Sequence, residues 1–90
     1  MISSQPIIQK KRTIENNRQH YIEEHLSLQL YEHIVRTPSE DIPLQNLFDV
    51  SHRTLSGDQG FLYLHTNSGV RTFLVNQSPE EWVFEVRSRL

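Results

Sequence analysis

Five histidines are the first candidates for chemistry in this chain of 90 residues. His20, His25 and His33 share one segment, and His52 and His65 lie in two others. A metal box such as H-E-x-x-H stacks two imidazoles on one helix face through a fixed spacing. No pair here has that spacing. On a strand, His20 would face one side and His25 and His33 the other. The pattern implies exposed or half-buried strand histidines and no metal or cofactor site. Asp49, Ser51 and His52 carry the residue types of a hydrolase. Neighbours on a strand alternate faces, so Ser51 and His52 point apart, and no G-x-S-x-G elbow is present. No catalytic set is expected, and the chain is read as a non-enzyme.

Two further stretches could meet anions. Ser56-Gly57-Asp58-Gln59-Gly60 offers backbone amides to a phosphate, but it lacks the P-loop lysine and Asp58 would repel the ligand. Gly and Asp in that order make a turn. Lys10, Lys11 and Arg12, with Arg18 nearby, form the one basic cluster. Three such charges contribute only a few kcal/mol, at about 1 kcal/mol each near an anionic lipid surface. No aromatic interleaves with them to stack a base. Shielding of an edge strand is the commoner use of such a triplet.

Composition sets the frame for these residues. Nine Lys and Arg against eleven Asp and Glu leave a formal charge of −2, which gives no general attraction to nucleic acid. There is no cysteine, so neither disulfides nor thiolate ligands contribute. No apolar run approaches the ~20 residues of a membrane span. The N-terminal order does not match a secretory leader. The expected compartment is the cytoplasm, and residues 1–90 are expected to form one domain.

The elements that would position these groups are mostly strands. Pro6 to Glu15 reads as a first strand, Asn16-Asn17 as a turn, and a second strand follows. Residues 1–18 are expected to be an edge strand or a partly disordered arm. In residues 20–36, Ile22, Leu26, Leu28, Leu30 and Ile34 occupy even positions, which is strand spacing. A helix through 20–36, giving an α+β two-layer fold, is the runner-up, but Leu28 lies off its stripe. A bend is expected near Glu23-Glu24. Thr37 to Pro43 reads as a turn. Phe48, Val50 and His52 alternate as a strand, and 54–60 reads as a loop. Phe61–Thr66 and Val70–Val75 form a hairpin around Asn67-Ser68-Gly69. Ser78-Pro79-Glu80-Glu81 then predicts a capping box and a helix from Pro79 to about Arg89. Trp82, Val83, Val86 and Leu90 form its apolar stripe, with Trp82 as the anchor on the sheet. Phe84 lies off that stripe. A broad core face claims it first, and a partner contact is its other use.

Three of these segments together resemble the bacterial pleckstrin-homology-like (PH-like) domains: Ile42-Pro-Leu-Gln-Asn-Leu-Phe-Asp-Val, the Phe61–Val75 hairpin and Ser78-Pro-Glu-Glu-Trp-Val. The resemblance covers roughly residues 25–90. It implies a strongly bent, split β-barrel closed at one end by the C-terminal helix. Such domains usually carry seven strands, whereas the pattern here supplies five or six. The likeness also implies a binding or assembly role, with a protein partner or self-association, and no single activity shared across the family. Association with anionic lipid through Lys10, Lys11 and Arg12 is the alternative. The fold expected is therefore mainly β: a bent antiparallel sheet or split barrel capped by one helix.

Overall fold

The computed structural model describes all 90 residues. Seven strands form one antiparallel sheet: β1 (Ser3–Glu15), β2 (Arg18–Leu30), β3 (Ile34–Arg36), β4 (Asp41–Pro43), β5 (Leu47–Ser56), β6 (Gln59–Thr66) and β7 (Gly69–Val75). One helix, α1 (Glu80–Arg87), follows. The strand order is β4-β3-β2-β1-β7-β6-β5. The two terminal strands do not pair with each other, so the sheet is open and is not a closed barrel, and the expectation of a mainly β antiparallel sheet followed by one helix holds. β1 is not an edge strand either, since it lies between β2 and β7. No helix is long and apolar enough to cross a membrane.

Alternation decides which side chains go inside. Ile7, Leu28, Leu30, Val35, Ile42, Leu47, Val50, Leu62, Leu64 and Val75 are buried on one face of the sheet, and Trp82, Val83 and Val86 of α1 close over them. Each fully buried aliphatic side chain contributes about 1.5–3 kcal/mol. Gln5 is buried among them, its Nε2 donating to the Gln77 carbonyl at 3.2 Å. Arg71 on β7 reaches Glu40 beside β4 at 3.1 Å, which ties distant parts of the curled sheet together.

Several local expectations change. Residues 18–30 are one unbroken strand, with no bend at Glu23-Glu24; the break comes at Tyr31–His33, before β3. The turn expected over 37–43 is tighter. Thr37 Oγ1 accepts from the amides of Ser39 and Glu40, and β4 begins at Asp41. The loop expected over 54–60 shrinks to Gly57-Asp58, because Ser56 already pairs with Gln59. Gly60 is obligatory there, since a Cβ would collide with the Arg53 carbonyl oxygen. Ser78 forms no side-chain cap, and Pro79 takes the N-cap position. The stripe ends at Val86: Leu90 is 47% exposed, beyond the last turn. Phe84 is 69% exposed and not part of the core. An eight-residue helix covering one sheet face has a single buried side, and Phe84 lies opposite it.

The first hairpin outgrows the body. β1 and β2 pair over thirteen positions, from Ser3↔Leu30 to Glu15↔Arg18. β7 holds β1 only at Ile8, and β3 holds β2 only at Gln29 and Leu30. Residues 9–24 therefore form a two-stranded arm about 20 Å long at ~3.3 Å per residue. It stretches the molecule to 47 Å against 28 and 23 Å in the other directions. Asn16 and Asn17 turn its tip with φ of 51° and 61°, the left-handed pair that a two-residue hairpin with right-handed strand twist demands.

Two outcomes are expected from this arrangement. The Trp82 indole N–H is buried with no partner, so Trp82→Phe breaks no hydrogen bond. Urea unfolding should show a loss of about 3–5 kcal/mol for Trp82→Ala and a far smaller loss for Trp82→Phe. Replacing both Asn16 and Asn17 by Ala forces Ala into the left-handed region at about 1–2 kcal/mol per residue. Hydrogen exchange should then quicken through residues 9–24 while the amides of Val50, Leu62 and Leu64 keep their protection.

Candidate functional site

Two surfaces gather the polar chemistry of the chain. The first is the outer face of β5–β7. Val50 and Leu64 are a directly opposed buried pair, which turns the flanking odd-numbered residues outward. Asp49 then lies opposite His65 and Ser51 opposite Tyr63. Ser51 Oγ and His65 Nε2 are 2.8 Å apart. His65 continues a ladder of rings along β6, with centroids 6.4 Å from Tyr63 and then 6.3 Å from Tyr63 to Phe61. His52 pairs opposite Leu62 on the other face. The residue types first weighed as Asp49, Ser51 and His52 thus reassemble with His65 in place of His52. The sequence hides this because His65 is fourteen residues from Ser51, and only the strand register joins them.

Proximity of a hydroxyl and an imidazole is one requirement of a nucleophile–base pair. The rest of the arrangement serves another end. The Asp49 carboxylate is held below the usual range first by the Val50 amide and then by Arg87, whose Nε is 3.1 Å away. That carboxylate therefore clasps the end of α1 and does not orient His65. Ser51 lies inside a paired strand, away from any elbow where free amides could converge on an oxyanion. No three acidic or histidine side chains come together as a metal cluster. His20 faces Thr13 across the arm, His25 faces Ile8 just below its base, and His33 sits between β2 and β3.

The second surface is the arm. Lys10, Lys11, Arg12 and Arg18 all lie on it, but alternation divides them. Lys10 and Arg12 share one face, opposite Glu23 and Tyr21. Lys11 and Arg18 share the other, and Lys11 Nζ is 3.1 Å from Glu24. The basic triplet is thus split between faces and matched by two carboxylates, which removes most of its attraction for a lipid surface. The arm also exposes Ile14 (71%), Tyr21 (71%) and Ile22 (48%). Strand spacing counts Ile22 among the apolar even positions of 20–36, and nothing singles out Ile14 or Tyr21. Their signal was the polar run on both sides, which leaves no buried face from Gln9 to Glu24.

Phe84 has a setting of its own. With Ile2 it lines an open groove of about 520 Å³ rimmed by Glu80, Glu81 and Glu85. Trp82, Val83 and Val86 lie inward as the sequence implied, with Leu90 excluded.

The Asp49 clasp has a pH signature. In the unfolded chain this group titrates near its ordinary 3.8, and folding lowers it. Its stabilisation is therefore full above that value and lost as pH falls through the lower folded value. Urea unfolding of Asp49→Asn should show a deficit at neutral pH that closes below about pH 4. Comparison of the chain with protein-family models, curated proteins and solved structures returns no match.

Proposed function

We propose that this chain is a non-enzymatic binding and assembly module whose working part is the β1–β2 arm. One observation carries the reading: residues 9–24 form a two-stranded ribbon that the body holds only at its base. An isolated two-stranded hairpin is marginal in water. This one has two open backbone edges and three exposed apolar side chains, so it gains most by adding a strand from another chain. Seven antiparallel strands followed by one C-terminal helix support the PH-like likeness as part of the same reading. A bacterial, cytoplasmic setting goes with that likeness and stands or falls with it. Lipid association through Lys10, Lys11 and Arg12 is the weaker alternative, because Glu23 and Glu24 face two of those charges.

The arm can be removed without touching the core. Gln9 and Glu24 form a directly opposed pair, so replacing Lys10–Glu23 by Asn-Gly closes the hairpin at the body. Light scattering should give the full chain a mass rising above 10.7 kDa with concentration. The shortened chain should stay monomeric with its thermal midpoint little changed. A full chain that remains monomeric at the highest attainable concentration overturns the proposal.

A further inference from the structure

We infer that the β2 edge of the arm is a self-pairing surface, on which two copies join antiparallel about a two-fold axis at Tyr21. This rests on the assembly reading above and adds its edge, symmetry and register.

The choice of edge follows from how the others are protected. The sheet ends at β4 and β5. β4 is three residues long and ends in Pro43. β5 has register breaks at Phe48 and Leu55. Short strands, proline and bulges each discourage strand addition. The arm adds two more edges. Its β1 edge carries Lys10, Lys11 and Arg12, and two such edges laid together would bring six cations side by side. The β2 edge from Arg18 to Glu24 has no lysine and carries the exposed Tyr21 and Ile22.

Orientation follows from the body. If β1 of one copy met β2 of the next side by side, both bodies would lie at the same level. There β7 already occupies the place beside β1, and β3 the place beside β2. The bodies would collide. Inverting one copy sends them to opposite ends, and β2 then meets β2 antiparallel. That contact is isologous and closes as a dimer.

Register follows from hydrogen bonding and charge. The two-residue turn makes Glu15↔Arg18 a hydrogen-bonded pair, and pairs then alternate along the hairpin. The free N–H and C=O groups of β2 thus belong to Gln19, Tyr21, Glu23 and the following odd positions. β3 indeed takes up β2 at Gln29, in the same series. With Tyr21 opposite its own copy, Gln19 pairs with Glu23 and every free group in the window is satisfied. On the other face the same register sets Arg18 against Glu24 twice. Asn17 and Asn16 of the second copy then fall opposite His25 and Leu26. There an open notch of about 480 Å³ lies between β2 and the turn after β3, lined by His25, Leu26, Ser27, Arg36, Thr37 and Pro38. The tip of one arm ends where the notch of the other begins.

The chain has no cysteine, so a single Tyr21→Cys variant reports the axis directly. Under mild oxidation it should form a covalent dimer at dilutions where Arg12→Cys, its neighbour on the β1 edge, does not. Arg18→Glu and Glu24→Arg should each weaken association roughly tenfold, from two symmetric pairs turned repulsive. The double variant R18E/E24R should restore it. Equal cross-linking of Arg12→Cys, or no rescue in the double variant, overturns this edge and register while a concentration-dependent mass keeps the assembly reading. A native chain that stays monomeric throughout overturns both.

Discussion

One face of the sheet must be buried, and only eight helical residues are available to bury it. Strand register, the curl of the sheet and the place of α1 all answer to that constraint. A slip of one residue in any strand would turn its apolar set to solvent. Ile7 and Leu26, Val35 and Ile42, and Val50 and Leu64 are opposed pairs on that face. Trp82 is the largest of the fully buried side chains. Its indole N–H is buried with no partner from the protein. Gln5 and Thr37, the other buried polar residues, both find carbonyl partners.

The same alternation makes the outer surface. Once Val50 and Leu64 face inward, Asp49, Ser51 and His65 have no choice but to face out together. Their closeness follows from the core and does not by itself indicate catalysis. What the trio does visibly is hold the end of α1 through Asp49 and Arg87 and bind β5 to β6 through Ser51 and His65. Both contacts reinforce β5, which has no strand on its outer side.

Features set by a single local rule were legible in the sequence. Period-two spacing separated strand from helix over 26–30, and Asn-Asn, Gly-Asp and Asn-Ser-Gly marked the turns. Ser78-Pro79-Glu80-Glu81 placed the helix start to within a residue or two, although its capping bonds do not form. Features set by long-range pairing were not legible. The bulge at Phe48 depends on where Leu47 meets Thr66, and nothing local announces it. Without that bulge Phe48 and Val50 would share a face, as the alternation implied; with it, Phe48 is 68% exposed. β3 and β4 are too short to show a period. The position of β1 inside the sheet rests on one paired position, Ile8 with Leu74, and on the Gln5–Gln77 hydrogen bond, both made with chain near the other end of the sequence. The Ser51–His65 pair depends on register in the same way.

Body and arm are stabilised by different means, and their residues differ accordingly. In the body each strand turns apolar side chains into one shared core. In the arm neither face is apolar enough for a core: Gln9, Lys11 and Thr13 oppose Glu24, Ile22 and His20, and Lys10 and Arg12 oppose Glu23 and Tyr21. Cross-strand pairs of these kinds contribute only about 0.2–1 kcal/mol each, against about 1–2 kcal/mol per residue for fixing the backbone. Even with its backbone hydrogen bonds, a seven-pair ribbon of this composition is close to balance. A chain selected for stability alone would be better served by a turn just beyond Gln9 and Glu24. The arm has a left-handed Asn-Asn tip, three adjacent cations along β1, and Arg18, Glu23 and Glu24 of mixed sign along β2. Within the ribbon that asymmetry sets Lys10 opposite Glu23 and Lys11 beside Glu24 across the hairpin. It also leaves the two free edges unlike, cationic along β1 and of mixed sign along β2.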